Sequence, residues 1–403
     1  MSDGGFSKAR LGRMHDIMAR HVERGSAPGL ITAVSRRGEA HVDVLGKTAF
    51  GGSEPMRRDS IFRISSMSKP IAATAAMILV EECALRLDEP VDRLLPELAN
   101  RQVLKRLDGP LDDTEPAHRS ITLRDLLTFR MGFGIVMAPP DQYPIAGAVD
   151  ALALGQGMPA PATPPDPDEW MRCLGTLPLM RQPGAQWMYN TGADTLGVLI
   201  ARASGQPLET FLRERIFEPL GMQDTSFSVP AEKLDRLLVS YWTNPMTGKV
   251  EVYDTAAGGQ WSAPPAFPSA AGGLVSTIDD YLAFGQMLLN RGAHGNTRLL
   301  SRPSVELMTH DHLTPAQKAV SGFVPGFWDT HGWGFCMSVV TRQDDLMGSV
   351  GSFGWTGGMG TAWTSDPSED MVTILLTQQS WNSPAPPDVC LDCWTSAYQA
   401  IDD

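Results

Sequence analysis

Four polar residues open an otherwise apolar run of this chain: Ser65, Ser66, Ser68 and Lys69, within RISSMSKPIAATAAMILVEE (63–82). A serine hydroxyl becomes an effective nucleophile only when a base takes its proton. A lysine serves as that base only where burial or a neighbouring cation lowers its pKa from about 10.4. An apolar helix start offers such burial. Residues three or four apart share a helix face, which puts Ser66 and Ser65 beside Lys69 and excludes Ser68. Pro70 fits only in a first turn, where few intrahelical N–H bonds are due. The helix N-terminus therefore lies near the serines, and its N–H groups could stabilise an oxyanion. Spacing leaves Ser65 and Ser66 both open, and S-x-x-K alone occurs by chance in many proteins.

Segments further along carry more weight: RLDEPVDRLLPEL (86–98), ITLRDLLTFRMGF (121–133), PGAQWMYNTGADTLGVLIARASG (183–205), EPLGMQDTSF (218–227) and AAGGLVSTIDDYLAFGQML (270–288). Together with SMSKP, their order and spacing resemble the serine β-lactamase and penicillin-binding-protein superfamily, in its class C-like branch. Within it the chain is most similar to the family VIII carboxylesterases. The likeness runs from about residue 15 to the C-terminus.

The resemblance implies an S-x-x-K motif at Ser66-Met67-Ser68-Lys69, with Ser66 as nucleophile and Lys69 as general base or proton relay. The esterase pattern W-x-Y…D-x-L-G falls on WMYNTGADTLG and gives the leaving-group proton shuttle to Tyr189. The penicillin-binding pattern Y-x-N would instead put Met188 at the tyrosine position, and a thioether cannot transfer protons. In the esterase register position 191 is threonine, so the amide that helps hold a β-lactam side chain is in doubt. The third motif, K/H-T/S-G on an edge strand, maps to Trp355-Thr356-Gly357, with Gly358 supplying the backbone N–H that completes an oxyanion hole with that of Ser66. An indole thus stands where the family has a cation. A desolvated carboxylate without a charge partner is costly to bind, so Trp355 favours a neutral, apolar group.

These residues imply a serine hydrolase of carboxylic esters with short-chain or neutral acyl groups, acting through an acyl-enzyme on Ser66. The alternatives are a β-lactamase, DD-peptidase or D-amino-acid amidase, or an acyltransferase using the same acyl-enzyme. A non-catalytic acyl-binding relative would be expected to have lost Ser66, Lys69 or Tyr189. Rival constellations are weak. No serine sits in G-x-S-x-G. His310-Asp311-His312 has no third ligand at useful spacing and reads as an exposed loop; His331, before GWGF, has no assigned role. Cys390-Leu-Asp-Cys393 lies in a helical pattern and reads as structural thiols. No metal or cofactor is called for, and a small ester is the expected partner.

The elements that must position this chemistry are legible in outline. Residues 7–24 are helical in spacing, and 29–46 reads as a hairpin turning at Arg37-Gly38, with SIFRIS as a third strand. Helix candidates follow at 122–130, 193–204, 208–216 and 278–290, the last capped by Ser276 or Thr277. Residues 139–167 carry eight prolines, too many residues for a plain connector; they form either a disordered insertion or a substrate-side flap. Strand patterns return in GWGFCMSVV, GTAWTSDP and MVTILLTQQ, before a helix near 387–401. The resemblance and this layout imply an α+β, β-lactamase/transpeptidase-like fold: an antiparallel sheet flanked by the terminal helices (1–70 with 331–403) and an inserted, mainly helical domain (71–330).

Length and composition agree with this. The chain has 403 residues, 42% hydrophobic and 20% charged, enough for a substantial core. A net charge of -13 excludes a basic nucleic-acid footprint, and no Lys/Arg run suggests a membrane surface. The first 25 residues lack the apolar stretch of a signal peptide, and five cysteines form no disulfide framework. The expected compartment is cytoplasmic.

Overall fold

The computed structural model describes residues 4–136, 142–155 and 157–403. Helix α1 (Lys8–Glu23) leads into the hairpin β1 (Gly29–Arg36) and β2 (Glu39–Gly46). The chain then leaves the sheet for a mainly helical middle containing α2 (Ser68–Glu81), α3 (Thr191–Ser204) and α4 (Ile278–Leu289). It returns as β3 (His331–Trp333), β4 (Ser338–Val340), β5 (Phe353–Gly357), β6 (Thr361–Asp366) and β7 (Met371–Thr377), and closes with α5 (Asp388–Gln399). The seven strands form one antiparallel sheet in the order β3-β4-β5-β6-β7-β1-β2.

The apolar runs of the inner strands follow from burial on both faces. Side chains alternate across a strand. Leu30, Val34, Ala362, Met371 and Leu375 pack with Met14 and Met18 of α1 and Cys393, Trp394 and Ala397 of α5. Their neighbours Ile31, Ala33, Trp363, Val372 and Ile374 join a larger core with α2, α3 and α4. A strand covered twice has no polar face to show, so it reads as a continuous apolar stretch. The same logic explains α2, where every residue from Ser68 to Leu79 is buried.

Several local expectations are refined. SIFRIS does not join the main sheet: Phe62–Arg63 pairs only with Val275–Ser276. GWGFCMSVV is two strands rather than one, β3 and β4, joined by a tight connection. Thr277, not Ser276, caps α4 by accepting from the Asp280 N–H. The 208–216 helix ends as an α-helix at Leu212 and continues as a π-turn, Arg213–Phe217. Of the proline-rich stretch 139–167, residues 139–141 and 156 lie outside the described residues. The rest holds the helix Pro144–Ala151 and a loop whose Met158 and Pro159 reach the main cavity.

Candidate active site

The site is built on the turn before α2. Ser65 sits in the left-handed region (φ 48°) and Ser66 in a single 3₁₀ turn, so the chain folds sharply between Ile64 and the first residue of α2. Such backbone costs of order 1–3 kcal/mol unless its surroundings hold it. Here they do. Tyr281 Oη donates to Met67 O (2.8 Å), Thr361 Oγ1 to Ile64 O (3.1 Å) and Ser68 Oγ to Ser65 O (2.7 Å). The Leu274 N–H donates in turn to Ser68 Oγ at 3.2 Å.

Lys69 is fully buried. Its Nζ donates to Ser66 Oγ at 2.8 Å and to Ala271 O at 2.6 Å, and lies 4.6 Å from the centroid of the Tyr189 ring. Tyr189 Oη donates to Ser66 Oγ at 2.9 Å and accepts from Trp355 Nε1 at 2.8 Å. Two side chains brought from 120 residues apart in sequence therefore converge on one hydroxyl oxygen. Ser65 makes no such contact, and Ser68 is spent on the turn itself.

Tyr189 is positioned by the segment before it and by packing. Its neighbour Met188 donates its N–H to Phe129 O (2.8 Å), and Ile135 N–H donates to Tyr189 O (2.7 Å). Gly134 makes this pairing possible, because a Cβ there would stand 2.7 Å from Tyr189 O. Trp187 stacks on the Tyr189 ring at 5.5 Å, and Phe129, Phe323 and Trp355 pack around it at 5.8 to 6.0 Å. Rings in these arrangements restrict one another's tilt.

The cluster on β5 differs in detail from expectation. This strand is interior, not an edge, but its pairing with β4 reaches only Phe353 and Gly354. Trp355 to Gly357 keep one paired neighbour, β6, and turn their other side to the site. Trp355 is a wall of the site and also a hydrogen-bond donor to Tyr189, a role not read from its sequence position. Thr356 and Gly358 line the cavity with Ser66. Gly357 does not line it. It packs on the Ser66 turn, where a Cβ would meet Ile64 O at 2.3 Å, so glycine there sets how closely β5 approaches the serine.

Asp194, in the first turn of α3, has a role that sequence reasoning missed. It accepts from Ser269 Oγ (2.7 Å) and from the Ala271 N–H (3.0 Å), and burial pushes its pKa up. The Ala271 peptide thus binds Asp194 through its N–H and Lys69 through its C=O. The signal was the aspartate of the D-x-L-G pattern at Asp194-Thr195-Leu196-Gly197, to which the sequence reading gave no role.

The cavity has a volume of about 340 Å³. It is lined by Ser66, Tyr189, Trp355 and Gly358 and also by Met158 and Pro159. Among the described residues, no Asp, Glu, Lys, Arg or His lines it. The rival constellations are structural. His310-Asp311-His312 is less exposed than expected: His312 stacks on Phe335 at 4.6 Å, and Asp311 accepts from the Trp333 N–H and pairs with Lys318. His331 stacks on Phe327, and burial lowers its pKa. Cys390 and Cys393 are free and buried, and burial lifts the Cys390 thiol to about 12. Among the described residues there is no His/Cys/Asp/Glu cluster fit for a metal, and no helix long and apolar enough to cross a membrane.

The seven-stranded antiparallel sheet with helices on both faces, and a partly exposed serine and tyrosine meeting a buried lysine beside it, are those of the β-lactamase/transpeptidase-like fold. The family model described as Beta-lactamase matches residues 14–388, and the chain belongs to that family. It is 30% identical to esterase EstB of Burkholderia gladioli, over 89% of this chain and 88% of that one. It is 27% identical to a monacolin J acid methylbutanoyltransferase of Aspergillus terreus, over 86% and 83%. Among solved structures it resembles EstCE1, a hydrolase with promiscuous acyltransferase activity, with a TM-score of 0.78 at 22% identity, over 97% and 99% of the chains.

Proposed function

We propose that the protein is a serine esterase acting on neutral carboxylic esters. The observation that carries this reading is the double contact on Ser66 Oγ, from Lys69 Nζ at 2.8 Å and Tyr189 Oη at 2.9 Å. Ser66 Oγ attacks the acyl carbon while the Lys69–Tyr189 pair takes up its proton. Tyr189, already beside Ser66 Oγ, passes a proton to the departing alcohol oxygen. The backbone N–H groups of Ser66 and Gly358 receive the oxyanion. Water then enters by the same relay and releases the acid, a two-step path with ping-pong kinetics.

Substrate charge is argued from the wall. With no charged side chain among the described residues that line the cavity, and Trp355 occupied by Tyr189, a β-lactam or D-Ala-D-Ala carboxylate would be desolvated without a partner. Comparing kcat/KM for short neutral esters and a cephalosporin tests this. Esters are expected to lead by at least about 100-fold, and equal or better cephalosporin turnover would overturn the reading. Transfer of the acyl group to an alcohol uses the same intermediate. The similarity to the Aspergillus terreus transferase supports it as a second reading, read out as ester product when alcohol competes with water.

A further inference from the structure

A second cavity of about 390 Å³ lies behind Trp355. It is set between the β3–β4 hairpin, the 323–327 segment and α5, and it shares Phe323, Trp355, Thr356 and Pro384 with the cavity that holds Ser66. Its lining is largely apolar, including Phe327, Val340, Met347, Leu391 and Trp394. Leu391 is 38% exposed, although it is a leucine on the flank of a helix whose other side is core. Asp344, Asp345 and His331 also border it, but a largely apolar cavity that adjoins a reactive site can take an apolar part of the substrate.

Which part follows from the proton path. Tyr189 Oη lies between Ser66 Oγ and Trp355 Nε1. The oxygen that Tyr189 protonates is the alcohol oxygen, so the alcohol departs on the Trp355 side. Met158, Pro159 and Gly272, which line the Ser66 cavity but not the second one, are left for the acyl group. We propose that the cavity between the β3–β4 hairpin and α5 receives the distal alkyl portion of the ester's alcohol, making the preferred substrates esters of extended apolar alcohols. This rests on the esterase reading above and adds the alcohol specificity that the Ser66 cavity alone does not define.

The test compares two series of esters: one with a fixed acetyl group and alcohols from ethyl to octyl, one with a fixed methoxy group and acyl chains of growing length. Wild-type kcat/KM is expected to climb about fourfold for each added alcohol methylene that is buried, the fold-change equivalent to about 0.8 kcal/mol. Leu391→Trp and Met347→Trp, which fill the cavity away from Ser66, Lys69 and Tyr189, are expected to flatten that climb by tenfold or more at octyl acetate. Ethyl acetate and the acyl series are expected to stay within twofold of wild type. A flat alcohol series in wild type, an unchanged slope in both variants, or a loss confined to the acyl series would overturn the subsite while leaving the esterase reading standing. Calorimetric titration with 1-octanol keeps the two failures apart. Binding by wild type that both variants weaken tenfold or more supports the subsite even if no ester is turned over, and absence of binding to wild type overturns it.

Discussion

Two buried cations stand six residues apart in this chain, and their partners could hardly differ more. Arg63 and Lys69 both have almost no solvent exposure, and both lie over an aromatic ring, Trp261 at 5.0 Å and Tyr189 at 4.6 Å. Arg63 is ion-paired with the buried carboxylate of Asp254 and donates further to Leu238 O and Thr255 O. Burial lowers its pKa and Asp254 opposes that shift. Lys69 donates to a hydroxyl and a peptide carbonyl, and the nearby carboxylate of Asp194, though it feels the Lys69 charge, hydrogen-bonds the Ala271 N–H rather than the ammonium. Burial alone therefore does not mark a functional cation. Arg63 is matched with a charge and fixed in place, whereas Lys69 donates to neutral acceptors, one of which is the hydroxyl it activates in the proposed mechanism.

Substitutions that treat the two alike should separate them. Lys69→Met keeps the apolar stem and removes the proton acceptor, so ester kcat is expected to fall about 10⁴-fold, at the upper end of what general acid–base groups contribute. Its thermal melting is expected to stay within a few degrees of wild type; a Lys69→Met protein with substantial activity would make the lysine structural. Asp254→Ala leaves the Arg63 guanidinium buried and unpaired, a change that costs about 3–5 kcal/mol of stability. Chemical denaturation should show that loss, with kcat of the remaining folded enzyme near wild type. If Asp254→Ala melts normally, the contrast between the two cations fails. The smallest effect expected is that of Trp355→Phe, which keeps the wall but removes the N–H donated to Tyr189. One such bond is worth about 1 kcal/mol, so kcat should fall roughly fivefold to tenfold with little change in KM.

Much of the fold was readable because burial on both sheet faces leaves an unmistakable apolar run, as in MVTILLT, and because α1 and α5 carry helical periods. SIFRIS was misplaced since a short strand carries no information about its partner, and Val275–Ser276 lies over 200 residues away. At the site, spacing set Lys69 beside a serine but could not choose between Ser65 and Ser66. The helix-face argument presumes a helix, and Ser65 precedes α2 in a left-handed conformation that turns it out of register. The links from Asp194 through Ala271 to Lys69, and from Trp355 to Tyr189, were not legible. Both join residues far apart in sequence through single hydrogen bonds, which leave no local period.

The most direct test of the central claim is covalent labelling with a fluorophosphonate, followed by peptide mass mapping. The geometry predicts one adduct, on Ser66, forming at a rate that collapses in the Lys69→Met protein. Labelling at Ser65 or Ser68, no labelling at all, or an undiminished rate without Lys69 would contradict it.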